Sequence, residues 1–322
     1  MRTPRRRRFA AAQALLPAAM LVAGCSGTGG SGGGEPGLGV IEANPPTAAL
    51  SFPMDAYTDT DAERLRMGQV QQTLVSRCMA RYGFTYAGVR SVEPSGTGGT
   101  EDRHRYLFGL ADPALAAAHG YDKSATGDRP AVKPPAPQLT DSEYLVMNGE
   151  QRGAQGGNAP DAATEEEAAQ VDSGLTTAGQ KVPPGGCARE AFRKLYAPVK
   201  GSVDLLFTFG LASEAHERSR QDSRVVDMLK NWSACMSKSG YDGIRTPYDV
   251  VEKLGLESDK AGPKAVTAAK ADVACKREVN LVGIWAAVEK AYQDRLVDEH
   301  AETLALYKTQ REARFKLAAS LA

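Results

Sequence analysis

Cysteine is the residue type in this chain best placed to do chemistry, and its five copies fall into two groups. Cys25 follows Leu21-Val22-Ala23-Gly24, behind an Arg-rich start (Arg2, Arg5, Arg6, Arg7 and Arg8) and an apolar, Ala-rich run over 9–20. This is the pattern of a bacterial lipoprotein signal. Small residues at 23 and 24 let a peptidase reach the bond before Cys25, whose sulfur then carries diacylglycerol in thioether linkage. The apolar run is shorter than the roughly 20 residues that cross a bilayer, and its basic flank is that of a cleaved signal. Buried acyl chains such as palmitate contribute ~0.8 kcal/mol per CH2, which makes lipid the better anchor. The competing reading is an ordinary signal cut elsewhere, with Cys25 incidental. Arg6-Arg7-Arg8-Phe9 also fits a twin-arginine export signal.

The second group is Cys78, Cys187, Cys235 and Cys275. An even number in an exported chain implies two disulfides, with three possible connectivities. Zinc is disfavoured, because no two of these cysteines lie within four residues and none has a histidine nearby. Their flanks repeat. Cys78-Met79 is followed by Gly83-Phe84, and Cys235-Met236 by Gly240-Tyr241, at identical offsets. Cys187-Ala188-Arg189-Glu190 parallels Cys275-Lys276-Arg277-Glu278. A repeat in this order signals a duplicated unit: a helix ending in Cys-Met-x3-Gly, an excursion, then a second helix starting at Cys-x-Arg-Glu. The unit predicts Cys78–Cys187 and Cys235–Cys275.

A hydrolase needs a base near a nucleophile, or an acid pair in a cleft. His104, His119, His216 and His300 are scattered. Asp102 and His104 read as a solvated loop pair, and Glu165-Glu166-Glu167 as a solvated acidic run. Gly29-Gly30-Ser31-Gly32-Gly33 matches Gly-x-Ser-x-Gly but lacks the strand and helix that a nucleophile elbow needs. The arginines and glutamates at 189–190 and 277–278 are either a symmetric binding patch or local charge partners. These readings predict no catalytic residue, no cofactor and no metal site.

The elements that position these residues read as helical. Thr60-Asp61-Ala62-Glu63 is a capping box, followed by Leu65, Val70, Leu74, Val75, Cys78 and Met79 on one face. A matching stripe of Val225, Met228, Leu229, Trp232, Cys235 and Met236 ends at Gly240. Residues 188–238 predict helix with breaks near Pro198, Gly201 and Gly210. A last helix over 263–320 starts at Pro263 and carries Leu281, Trp285, Val288, Tyr292, Leu296, Leu304 and Tyr307. At about 55 residues it would be ~80 Å long, either a core helix with a fraying end or a docking arm.

The expected organisation is a signal peptide over 1–24, a flexible Gly/Pro-rich tether over 25–54 and a helical domain over 55–322. The tether would span on the order of 30 Å. Within the domain, 85–186 is a loop-rich excursion with helical islands at Asp112-Pro113 and Thr140-Asp141-Ser142-Glu143, and 131–137 and 153–185 look loosely laid or disordered. The fold class is therefore all-α: a disulfide-stapled bundle of two related units, a long insertion and a long C-terminal helix. Removing the five signal arginines leaves 34 basic against 39 acidic residues, a net charge near −5. That disfavours nucleic acid as a partner.

The segments Phe52-Pro53-Met54-Asp55-Ala56-Tyr57, Arg77-Cys78-Met79 with Gly83-Phe84 and Tyr86, Pro184-Gly185-Gly186-Cys187 with Glu190-Ala191, and Asp272-Val273-Ala274-Cys275-Lys276 through Val288-Glu289-Lys290-Ala291-Tyr292-Gln293 resemble an uncharacterised set of secreted lipoproteins of streptomycetes and related actinobacteria. The likeness covers most of the mature chain. It implies a lipid-anchored protein on the extracytoplasmic face of the cell membrane, near envelope transport proteins that carry peptidoglycan-binding domains. It carries over no catalytic residue. The function expected is a non-enzymatic accessory or binding subunit for an envelope transporter, sensor or wall component. The alternative is a cell-wall hydrolase or transferase, with a site built from the excursion and Tyr82, Phe84, Tyr86 and Tyr241.

Overall fold

Two helices that end in the same way set the frame. In the computed structural model, which describes residues 34–88, 103–126, 138–153 and 160–321, α1 (Asp61–Arg81) starts at the Thr60 capping box and buries Met67, Val70, Val75, Cys78 and Met79. It stops at Gly83, whose φ of +80° is left-handed. The Phe84 N–H then bonds back to the Met79 carbonyl at 3.2 Å. Further along, α6 (Phe207–Gln221) meets α7 (Ser223–Lys238) at Asp222, whose side chain caps α7 by accepting from Arg224 N–H. The end of α7 repeats that of α1: Gly240 has φ +87°, and the Tyr241 N–H reaches the Met236 carbonyl at 2.9 Å. Glycine is required at both stops because a Cβ is disfavoured in that conformation.

The chain divides into Met1–Glu35 and the folded unit Pro36–Ala322; the signal expected over 1–24 and the lipidation expected at Cys25 fall outside the described residues. Both disulfides required by the repeat are present, Cys78–Cys187 and Cys235–Cys275, each with a Cα–Cα distance of 5.6 Å. The fold is all-α and disulfide-stapled. The second halves of the units differ. Cys187 opens α5 (Gly186–Tyr196), as expected, whereas Cys275 lies in the last turn of α9 (Pro263–Glu278).

The long helix expected over 263–320 is three helices: α9, α10 (Leu281–Glu299) and α11 (Ala301–Leu321). The first break is Asn280, left-handed at φ +51°, a conformation that asparagine tolerates better than most residues. The second is His300, at φ −115° and ψ 22°, whose ring packs edge-on against Phe207 at 5.6 Å. After this break α11 turns back onto the first unit. It buries Leu304, Tyr307, Arg314 and Ala318. Arg311 pairs with Asp59 and Glu63, and the Arg314 guanidinium lies over the Tyr196 ring at 5.1 Å. The C-terminal helix thus covers the bundle along α1 and α5.

The tether expected over 25–54 is laid on the bundle from Pro36 onward, as a strap. Arg224 Nη1 donates to the Pro36 carbonyl at 2.9 Å. Asn280 holds the strap twice, donating to Glu42 O and accepting from Asn44 N–H. Met54 N–H donates to Gln293 Oε1 at 3.1 Å, and Phe52, Met54 and Tyr57 enter the main core. A Cβ at Gly283 would lie 1.9 Å from Glu42 O, so only glycine admits the strap there.

The excursion holds α2 (Pro113–His119), α3 (Asp141–Asn148) and α4 (Glu165–Ala168). Its segment 131–137 lies outside the described residues. The part over 160–185, expected to be loose, is packed: Ala162, Thr164, Ser173 and Val182 are buried. A two-residue hairpin, β1 (Thr176–Thr177) with β2 (Gln180–Lys181), brings the Ser173 hydroxyl to the Val182 carbonyl at 2.5 Å. A short helix, α8 (Val250–Lys253), follows the turn at Pro247. Gly210 does not break α6; it is exposed, so its cost is the ~1 kcal/mol of helix propensity alone.

Candidate functional site

The excursion meets the second unit at an aromatic cleft of about 160 Å3, lined by Tyr106, His119, Tyr121 and Tyr248 among others. Gly120 (φ +56°) turns the chain so that Tyr121 N–H bonds to the Lys260 carbonyl at 2.8 Å. A Cβ at Gly120 would sit 2.5 Å from that carbonyl oxygen. The Tyr121 hydroxyl donates to Asp272 Oδ2 at 3.2 Å, and Trp232 Nε1 donates to Asp272 Oδ1 at 3.1 Å. Lys276 Nζ donates to Asp272 Oδ2 at 3.0 Å and to the Leu110 carbonyl at 2.6 Å. Asp272 and Lys276 are 0% and 1% exposed. Burial pushes the Asp272 carboxyl up and the Lys276 ammonium down, against their mutual attraction. Burial, with Asp272 next, also pushes the Tyr121 phenol well up. The pair therefore props the cleft wall at residue 110 and orients Tyr121.

A second network lies beside it. Glu289, 1% exposed, accepts from His216 Nδ1 at 3.1 Å, from the Ser219 hydroxyl at 2.9 Å and from Gln293 Nε2 at 3.0 Å. Trp285 Nε1 donates to Ser219 Oγ at 2.9 Å, and the His216 ring stacks on Trp285 at 5.7 Å with an interplanar angle of 4°. His216 Nε2 lies 3.2 Å from the Tyr248 hydroxyl, which donates to the Leu107 carbonyl at 2.6 Å. Burial pushes the Tyr248 phenol up, which makes it a poor nucleophile. Glu289, His216 and Tyr248 thus form a run of polar contacts that ends at the 40%-exposed Tyr248 on the cleft rim.

The residues singled out from the sequence are only partly brought together. Asp102 lies outside the described residues, and His104 pairs with Asp55 instead, 3.0 Å from both carboxylate oxygens. Burial raises the Asp55 carboxyl, but the His104 hydrogen bond, the Phe52 N–H and the neighbouring cations outweigh it and hold the group below its usual range. His119 lines the aromatic cleft. Tyr82, Phe84 and Tyr86 pack around the first disulfide, whereas Tyr241 packs in the second unit, so those four aromatics form no common site. Glu165 pairs with Arg193. No group of three His, Cys, Asp or Glu side chains among the described residues is placed to hold a metal.

The repeated charges face the disulfides. Glu190 Oε2 lies 3.4 Å from Cys78 Sγ, and Glu278 Oε2 lies 3.5 Å from Cys235 Sγ. Glu190 is held by Arg81 and Lys194. Burial opposes its ionisation, but those two cations win and lower its pKa. Arg189 pairs with Asp161 at 3.4 Å. Sequence reasoning missed Asp272, Lys276, Glu289 and Tyr248 as site residues, and read His216 only as one of four scattered histidines. Asp272 and Lys276 are four apart, a helical ion-pair spacing, but nothing local marks that pair as buried.

No helix among the described residues is long and apolar enough to cross a membrane. Comparison of the chain with protein-family models, curated proteins and solved structures finds no match.

Proposed function

We propose that this chain is a non-enzymatic lipoprotein of the streptomycete-type secreted set. In this reading it is anchored through Cys25 to the extracytoplasmic face of the cell membrane and serves as an accessory or binding subunit for an envelope transporter, sensor or wall component. The observation that carries the choice of a binder over a hydrolase is the use of the buried acids. Glu190, Asp222, Asp272 and Glu289 are the buried carboxylates among the described residues. Each is matched by donors of its own chain: Arg81 and Lys194 for Glu190, Arg224 and Tyr292 for Asp222, Lys276, Trp232 and Tyr121 for Asp272, and His216, Ser219 and Gln293 for Glu289. Glycan hydrolysis needs two carboxyl groups flanking a substrate in a cleft; Glu190 lines a cleft with Glu165 and Asp172, but each of the three is tied to cations of its own chain, Glu190 to Arg81 and Lys194, Glu165 to Arg193 and Asp172 to Lys181.

Two further observations support the reading. The paired cysteines suit an oxidising compartment outside the cytoplasm. Eleven peptide steps separate Cys25 from the clamp at Pro36, a span of at most ~40 Å even when fully extended. A folded unit on so short a lead stays near the bilayer, within reach of a membrane-embedded partner. The test combines membrane fractionation of wild type and Cys25→Ser with an assay on purified wall fragments. The expected result is release by the substitution and no soluble sugar or peptide product. A protein that stays membrane-bound without Cys25 overturns the anchor, and released wall fragments overturn the non-enzymatic reading.

A further inference from the structure

A second cleft, of about 490 Å3, opens where the end of α1, α4, the hairpin and α5 meet. It lies beside the first disulfide, since Glu190 in its wall is 3.4 Å from Cys78 Sγ. Its volume falls in the range of small-ligand sites, roughly 300–1,000 Å3. We infer that this cleft binds a neutral polyhydroxylated ligand, a mono- or disaccharide. The inference rests on the binding-subunit reading and gives it a ligand class; it does not rest on the lipid anchor.

The residue that calls for a ligand is Arg193. Its side chain is 0% exposed and belongs to the cleft wall. Its Nε donates to Glu165 Oε2 at 3.3 Å, and its Nη1 donates to the Pro184 carbonyl at 2.8 Å, with Asp161 Oδ1 at 3.4 Å. Nη2 has no hydrogen-bond partner among the described residues. Three buried side-chain nitrogens there share that condition, and this is the one whose residue lines the cleft. Glu165 and Pro184, which fix the plane of the guanidinium, are cleft residues too, so the open nitrogen lies at the same wall. A buried charged donor left unmet costs stability, and such an atom calls for an acceptor that the chain itself does not supply.

The surrounding charges decide the class of that acceptor. Glu165 and Asp161 already face Arg193, so an anionic ligand at Nη2 would meet two carboxylates. The other acids of the wall are matched, Glu190 by Arg81 and Lys194 and Asp172 by Lys181. The wall therefore alternates donors and acceptors and leaves no cation without an acid. Each carboxylate oxygen has two lone pairs and can accept again after one bond to a cation. A hydroxyl meets both demands, because it accepts from Nη2 and donates its own hydrogen to a neighbouring carboxylate. A sugar ring presents a row of such groups without charge. The wall is also held in shape by its own bonds: the Tyr82 hydroxyl donates to the Lys181 carbonyl at 2.5 Å, Val182 N–H donates to the Leu175 carbonyl at 2.9 Å, and Cys78–Cys187 fastens α1 to α5. Groups ordered in advance lose less entropy on binding.

The test is saturation-transfer NMR with isothermal titration of the full-length protein in a non-glycosidic detergent. The probes are cellobiose and N,N′-diacetylchitobiose as neutral disaccharides, acetate as an anion and glycine as a zwitterion. Saturable binding of a neutral disaccharide is expected, with an affinity that does not fall as salt rises, because the ligand carries no charge to screen. Arg193→Lys keeps the charge but removes the fork, and should lose about tenfold or more, some 1.4 kcal/mol. Ala169→Trp fills the cleft from an exposed position in its lining. It should abolish binding with unchanged melting, so it decides the matter even if Arg193→Lys melts early. No saturation by either disaccharide, tighter binding of acetate or glycine, or wild-type affinity in Ala169→Trp overturns the site. Such a failure leaves the anchor and the membrane partner standing, since both are read without a sugar.

Discussion

Lys276→Met would leave Asp272 buried without its cation. The pair is 1% and 0% exposed, and the lost ammonium also bonds the Leu110 carbonyl that walls the aromatic cleft. Removing one partner of a buried ion pair costs roughly 3–5 kcal/mol, because a desolvated charge is left behind. A folded unit of this size loses about 2 °C of Tm per kcal/mol, so the variant should melt roughly 6–10 °C below wild type. The double variant Asp272→Asn with Lys276→Met removes the charge while Asn still accepts from Trp232. It should recover about half of the loss, ~2 kcal/mol, and the coupling energy is that recovery plus the cost of Asp272→Asn alone. The pH dependence has a fixed sign. Burial already raises the Asp272 carboxyl, and loss of Lys276 raises it further. The native variant then binds a proton that the unfolded chain releases, so its deficit against wild type shrinks as the pH falls towards the ordinary Asp range near 4. The assay is thermal and urea unfolding by circular dichroism and by Trp fluorescence, since Trp232 bonds to Asp272. A single variant within about 1 kcal/mol of wild type, or a double variant less stable than the single, would refute the coupled pair.

Gly283→Ala should destabilise the protein and speed proteolysis within the strap, although alanine favours an isolated helix by ~1 kcal/mol; a more stable variant would mean that the strap does not pass over Gly283. Non-reducing peptide mapping should yield Cys78–Cys187 and Cys235–Cys275 alone, and Cys235→Ser with Cys275→Ser should cost about 3.9 kcal/mol for a loop of 40 residues in the chain-entropy treatment. Asp55 and Asp222 have lowered pKa values, set for Asp55 by His104 and for Asp222 by Arg224 against the opposing effect of burial. Their stabilisation is therefore complete above the usual Asp value of 3.8 and is lost as the pH falls through the lower folded values. Acid unfolding of Asp55→Asn should accordingly be shallower than that of wild type.

The parts of the fold legible in the sequence are those decided within a few residues. The Thr60 and Thr140 capping boxes, the Asp112-Pro113 start and the glycine stops at 83, 120, 149 and 240 are local chemistry, and each bounds a helix as expected. The cysteine repeat was readable because both halves keep the same offsets to methionine, glycine and glutamate. The strap was not readable, because its partners are remote: Met54 bonds to Gln293 across 239 residues and Asn44 to Asn280 across 236. Its Pro- and Gly-rich composition looks like linker, while its order comes from Phe52 and Met54 entering a distant core. The breaks at Asp222, Asn280 and His300 lack the glycine or proline that would announce them. Of the candidate site, the sequence offered His119 and His216, as scattered histidines, and the cysteines. The Asp272–Lys276 and His216–Glu289 clusters escaped because helical spacing shows neighbours on one face but not which face is buried.

The measurement closest to the central claim, the proposed lipid-anchored accessory role, is crosslinked affinity purification of the full-length protein from a membrane fraction of its own cells, read by mass spectrometry beside the Cys25→Ser variant. An accessory subunit on a short lipid lead should capture one dominant envelope membrane protein, and the capture should be lost when Cys25 is replaced. Recovery of no partner above background, or of the same partner by the unanchored variant, would contradict the account.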